Sequence, residues 1–133
     1  MSVKFNYICE RGIWRPIIPI FFISAEGSQF AVDGLIDSGA TKCLFPGYIA
    51  MILGHDVSKG TFLQKMMIGG KKINSYLHKT KVIAIDKPFS WDIYFSHDID
   101  DWEFGILGQD PFFSNFKIIF NYKKKEFFLE HYV

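Results

Sequence analysis

Asp37 stands directly after an apolar pair, Leu35-Ile36, and directly before Ser38-Gly39-Ala40. A carboxylate closing a buried strand is costly unless it is hydrogen-bonded. Ser38 supplies a hydroxyl donor, and Gly39 lets another backbone approach closely. A carboxylate so placed is the type of group that takes a proton from water. The string Asp-Ser-Gly on its own is also a common turn, so the choice between a turn and a catalyst rests on its context.

No other set of chemistry-bearing residues forms a comparable pattern. His55, His78, His97 and His131 are dispersed, without ligand spacing, and read as solvated or locally hydrogen-bonded side chains. His97, Asp98, Asp100 and Asp101 form a polar cluster that reads as a loop, because no further cation-ligand pattern follows it. Cys9 and Cys43 are the only cysteines, too few for a disulfide scaffold or a zinc cluster. Both read as reduced thiols, and Cys43, with no activating base beside it, as packing. Trp14, Trp91 and Trp102 read as core or interface residues. No metal ligand set is expected.

The elements that must position Asp37 are strands. The chain has 133 residues, 49% hydrophobic and 18% aromatic, with fifteen phenylalanines, which predicts one domain spanning residues 1–133 and favours strands over helices. The net charge of +1 gives no electrostatic footprint for nucleic acid. The first residues lack the basic-then-apolar order of a signal peptide. The most apolar segment, Ile17 to Ile23, is interrupted by Pro19 and is too short to cross a bilayer. The expectation is no membrane association and a cytoplasmic location.

Strands are predicted at Phe5 to Cys9, at Arg15 to Ser24 (an edge strand, from Pro16 and Pro19) and at Phe30 to Ile36, with Thr41 to Phe45 resuming strand character. The best helix spans Pro46 to Gly54, with proline at its first position and glycine just past its end. Phe62 to Ile68 and Ile73 to Ile85 read as strands about a tight turn at Gly69-Gly70. Ser90 to Ser96 alternates weakly, and Trp102 to Leu107 is a further strand closed by Gly108. Asp110 to Asn115 suits one helical turn. Phe116 to Tyr122 and Glu126 to Val133 form a last hairpin, turned by Lys123-Lys124-Lys125, which keep that turn soluble. Leu35-Ile36-Asp37-Ser38-Gly39 and Ile106-Leu107-Gly108-Gln109-Asp110 echo each other as paired aliphatics before a glycine-containing turn.

Three stretches together resemble the retropepsin-like aspartic peptidases, the family of the retroviral proteases and their cellular and bacterial relatives. They are Leu35-Ile36-Asp37-Ser38-Gly39-Ala40-Thr41, Met67-Ile68-Gly69-Gly70 and Gly105-Ile106-Leu107-Gly108-Gln109-Asp110. The resemblance implies an all-β, retropepsin-like acid-protease barrel with one short helix. It implies an aspartic endopeptidase acting on peptide or protein substrates as a homodimer, without cofactor. Asp37 would be the catalytic carboxylate, paired with its copy in the partner. Ser38 and Gly108 would support the active-site loop, Gly39 and Ala40 would line the cleft, and Ile68, Gly69 and Gly70 would lie in a flap over bound peptide. Two carboxylates within about 3 Å share one proton, so one member can act as base on a water while the other donates to the scissile carbonyl.

The departures from that family pattern are specific. Retroviral members usually carry acidic residues after the alanine, where this chain has Thr41 and Lys42. The retroviral arginine that pairs with such an acid is replaced by Gln109. The terminal hairpin from Phe116 resembles the cellular and bacterial members more closely. Two other functions compete with the peptidase. One is a binding or dimerisation module that keeps the fold and cleaves nothing. The other is a small β-barrel for single-stranded nucleic acid, which the near-neutral charge disfavours.

Overall fold

The computed structural model describes residues 1–66 and 69–132; the side chains of residues 65 and 66 are outside the description. The strands are β1 (Ser2–Asn6), β2 (Ile8–Glu10), β3 (Ile13–Arg15), β4 (Ile17–Ile23), β5 (Gln29–Ile36) and β6 (Leu44–Pro46), then β7 (Thr61–Met66), β8 (Lys72–Ala84), β9 (Lys87–Ser96), β10 (Gly105–Leu107), β11 (Phe116–Asn121) and β12 (Glu126–His131). One short helix, α1 (Gly47–Ile52), follows β6, and 3-10 turns lie at Val57–Lys59 and His97–Ile99.

Six strands close a barrel in the order β4-β5-β10-β6-β9-β8, completed by Phe21 and Phe22 of β4 pairing with Ile83 and Val82 of β8. The closure follows from alternation. Ile18, Ile20 and Phe22 of β4, Ile93 and Phe95 of β9, and Val82 and Ala84 of β8 all point into one core with Phe45 and Leu107. Phe22 and Phe45 meet edge to face, their centroids 5.0 Å apart. The alternate residues of the same strands face the other way: Leu44 of β6, Tyr94 of β9 and Ile106 of β10 gather with Ile73, Ile99 and Trp102 in a second, smaller cluster. β1, β12 and β11 form a separate three-stranded sheet, whose Phe116, Phe127 and Leu129 join the main core.

The departures from the predicted elements have local causes. The first predicted strand breaks at Tyr7, whose N–H turns to the Lys125 carbonyl. Pro16 divides the second into β3 and β4. Pro19 sits where β4 has a neighbour on one side only; pairing with β8 begins at Phe21. Thr41 to Cys43 stay in the loop and regular strand starts at Leu44. The helix starts one residue later than predicted, with Pro46 as its N-cap and Leu53 as its C-cap, and Gly54 follows at φ +92°. Trp102 is held in a turn by its N–H to Ile99 O, so that strand is only β10. The segment Asp110 to Asn115 is a run of turns, with no regular helix. Val133, the predicted end of the last strand, lies outside the described residues.

Phe45 of β6 is fully buried in the main core and packs on Phe22 of β4. Phe45→Ala is expected to cost about 3–5 kcal/mol, read as a lowered urea midpoint with an unchanged slope; a loss below about 1 kcal/mol would contradict this packing role.

Candidate active site

β10 creates the site by entering between β5 and β6. It runs parallel to β5, with Ile106 opposite Leu35 and Leu107 opposite Ile36, and antiparallel to β6. The next bond in that ladder is Asp37 N–H to Leu107 O, at 3.0 Å. Asp37 is thus fixed at the end of β5 by a strand that arrives about seventy residues later.

The loop after Asp37 folds on its own carboxylate. Oδ1 accepts the Gly39 N–H at 2.9 Å, and the Ala40 N–H reaches Asp37 O at 3.2 Å. This is an Asx-type turn. The loop is then laced to the segment after β10. Gln109 N–H donates to Ala40 O at 2.8 Å and Asp110 N–H to Thr41 O at 3.1 Å, while the Gln109 side-chain amide donates to Ser38 O at 2.9 Å. Gly108 N–H points at the buried Cys43 sulfur, 3.4 Å away. A Cβ on Gly108 would come within 2.8 Å of Ala40 O and nearer still to Lys42 O, so only glycine lets the two loops touch.

Of the residues singled out in the sequence, Asp37, Ser38, Gly39, Ala40 and Gly108 are brought together here. Asp37 and Ala40 are half-buried, Ser38 and Gly39 are exposed, and Gly108 is buried. Gly69 and Gly70 sit apart, at the turn after β7, with φ +92° and +84° and open space around both. Ile68, the third flap residue, lies outside the described residues, as does Met67. Ile73, the first residue predicted for the strand after that turn, is buried in the second cluster with Leu44 and Ile99.

That burial shows how the β7–β8 hairpin is held. β8 leaves β9 after Tyr76, so residues 72–75 pair only with β7. They are fastened by Asn74 N–H to Asp98 Oδ2 at 2.8 Å, by Ser75 Oγ–H to Leu63 O at 2.7 Å and by the Ile73 side chain. Asp98, read from sequence as part of a polar loop, is therefore the tether of the projecting hairpin.

Sequence reasoning missed two further arrangements. Lys42 Nζ lies 3.0 Å from Asp110 Oδ2, and the two residues also form a parallel bridge. The hydrogen bond to Asp110 raises the Lys42 pKa above its ordinary value, so the ammonium stays charged. An ion pair thus joins the loop after Asp37 to the segment after Gly108 although Thr41 and Gln109 carry no charge. The histidines are also less dispersed than their spacing suggests: His55 and His78 stack with centroids 4.8 Å apart. His78 Nε2 donates to Val57 O at 2.9 Å, and burial first, then His78, lowers the His55 pKa.

Two cavities among the described residues are lined without Asp37. One, about 570 Å³, lies among His55, Asp56, Asn74, Tyr76 and Asp98. The other, about 330 Å³, lies among Glu10, Ile13, Arg15, Trp102 and Phe104. Among the described residues no group of three or more His, Cys, Asp or Glu is gathered to hold a metal ion, and no helix is long and apolar enough to cross a membrane.

No family model matches the sequence, and no curated protein does. Solved structures do match. A retropepsin-like aspartic protease from Rickettsia conorii superposes with a TM-score of 0.68 at 17% identity, over 98% of this chain and 92% of that one. EIAV protease, in complex with the inhibitor HBY-793, superposes with a TM-score of 0.53 at 14% identity, over 77% of this chain and 89% of that one. The fold is retropepsin-like, an all-β barrel with one short helix.

The Lys42–Asp110 pair is 40% and 62% exposed, so solvent screening holds its worth to about 1 kcal/mol or less. Lys42→Asp is expected to lower the melting temperature by placing two carboxylates together. Adding Asp110→Lys should recover most of the loss, and the recovery should shrink in 1 M salt, where the screening length is about 3 Å. A double variant no more stable than Lys42→Asp alone would show that the pair does not tie the loops.

Proposed function

We propose that this retropepsin-like chain is one subunit of a homodimeric aspartic endopeptidase. The observation that carries the reading is Asp37 itself: a half-buried carboxylate, locked by Gly39 and Leu107 at the end of β5 of a retropepsin-like barrel. One such carboxylate can bind a water but cannot also protonate a carbonyl oxygen. A second copy supplies the missing group. With the two Asp37 side chains about 3 Å apart, mutual repulsion leaves one proton shared between them, and the pair titrates as a unit. The charged member takes a proton from the water as it attacks the scissile carbonyl, and the protonated member hydrogen-bonds the developing oxyanion.

The other residues take supporting parts in this reading. Ser38, exposed beside Asp37, braces the loop across the two-fold axis. Gly39 and Ala40 present backbone and a small side chain to the peptide. Gly108 keeps the loop seated. The β7–β8 hairpin, with Gly69 and Gly70 at its turn, closes over the substrate and excludes water, with Ile68 as a flap residue in this reading. The reaction is hydrolysis of a peptide bond in a peptide or protein, by an activated water and without cofactor, and the setting is cytoplasmic.

Asp37→Asn keeps an oxygen acceptor for Gly39 N–H, so the loop should hold its shape and the melting temperature should change little. Turnover of a peptide library should fall by at least roughly 10²-fold. Undiminished cleavage by the purified Asn variant would reject the mechanism, and absence of cleavage by wild type would leave a binding module on the same fold. Activity per chain should also fall on dilution, because each monomer holds half of the site. Constant specific activity down to a concentration where sedimentation shows only monomer would contradict the shared site.

A further inference from the structure

β2 and β3 make a two-stranded sheet attached to no other strand. Every residue in it is exposed except the half-buried Arg15. Its register, Ile8 opposite Arg15, Cys9 opposite Trp14 and Glu10 opposite Ile13, puts Ile8 and Ile13 on one face and Trp14 on the other, and all three are exposed, Ile8 at 45% and Ile13 at 51%. Isolated hairpins of this kind are marginal in water and need a third layer to cover them. What this chain offers is slight: the Lys125 ammonium 5.6 Å from the Trp14 ring, and the Arg15 guanidinium 5.5 Å above Phe104. The turn at Arg11-Gly12 has positive φ at both residues, which suits a tight hairpin. The hairpin is well formed and poorly covered.

Its position says what covers it. The Pro16 carbonyl, one residue past β3, accepts the Ile36 N–H at 3.0 Å, and Ile36 precedes Asp37. A bonded antiparallel pair separates Cα atoms by about 5.5 Å and one residue adds about 3.8 Å, so the hairpin leaves the sheet within about 9 Å of Asp37. If two Asp37 carboxylates meet on a two-fold axis, two such hairpins rise beside that axis, each within reach of the other copy.

We infer that the β2–β3 hairpin is the arm with which two copies of this chain grip each other, burying the face that carries Ile8 and Ile13 against the partner. The inference rests on the proposed dimeric reading and names the surface that makes the dimer. The hairpin also carries Glu10, Arg11 and Arg15. Charges of both signs on one small surface suit an isologous contact, in which the acid of one copy meets a base of the other.

The test is sedimentation of the full chain over a range of concentrations, for wild type, Ile8→Glu, Ile13→Glu and Met51→Glu. Met51 is exposed on α1, outside the hairpin. Melting curves establish that each variant folds, and two hairpin variants guard against one that does not. Ile8→Glu and Ile13→Glu should each raise the dimer Kd about tenfold or more, with peptide cleavage recovering at high protein concentration, while Met51→Glu leaves Kd unchanged. A wild-type monomer at every concentration, an unchanged Kd in both hairpin variants, or an equal weakening by Met51→Glu would each overturn the arm. The peptidase reading fails on a different readout. A chain that dimerises through the hairpin but cleaves no peptide, or cleaves it equally as Asp37→Asn, keeps the arm and loses the chemistry. A chain that cleaves through Asp37 with an unaffected dimer in both hairpin variants keeps the chemistry and loses the arm.

Discussion

The contact between Gly108 and the carbonyls of Ala40 and Lys42 is the constraint on which the site depends. No side chain fits there, and without the close approach the bonds from Gln109 and Asp110 to the Asp37 loop are out of reach. The loop would then keep only its own Asx turn, which a few residues in water do not hold in one geometry. The barrel order serves this contact. β10 is three residues long, too short to stabilise much by itself, yet it lies between β5 and β6 and carries Gly108 against the loop that joins them.

The charge at this junction is organised differently from the retroviral pattern. That pattern puts an acid in the loop and a base after β10. This chain has Thr41 and Gln109 at those positions, and uses Gln109 as a neutral tie to Ser38 O. One residue further along each segment, Lys42 and Asp110 form the ion pair with the signs exchanged. The two segments are still joined by opposite charge, but the cation now rides on the loop that carries Asp37. A partly exposed pair adds little to stability. Its effect is on the register of the two segments, since Lys42 and Asp110 are also bridged through their backbones.

Much of this was legible in the sequence because strand ends and glycines punctuate it. Leu35 to Ala40 and Ile106 to Asp110 stand out as apolar pairs running into polar turns, and they are the two segments that meet. The hairpin of β7 and β8 and the terminal one of β11 and β12 were likewise marked by Gly69-Gly70 and the lysine turn. What the sequence hid depends on distance along the chain. Lys42 and Asp110 are 68 residues apart, and nothing local to either signals the other. His55 and His78 become neighbours only when the Val57–Lys59 turn folds against β8. Pro16 was read as an edge marker, whereas it separates a free hairpin from a barrel strand, a distinction that only tertiary pairing makes.

The late arrival of β10 also has a consequence for the order in which the protein is made. The bond from the Gln109 side chain to Ser38 O closes a separation of 71 residues. A chain emerging from the ribosome exposes Asp37 long before it exposes Gly108. Until residues 105–110 appear, the acidic loop lacks the backing that shapes it, and the barrel lacks the strand between β5 and β6. Closing so long a segment is entropically expensive, and topologies rich in such contacts fold slowly. The carboxylate is therefore set in its final geometry only after most of the polypeptide has been synthesised, and the nascent chain carries no finished half-site while its own unfolded segments are within reach.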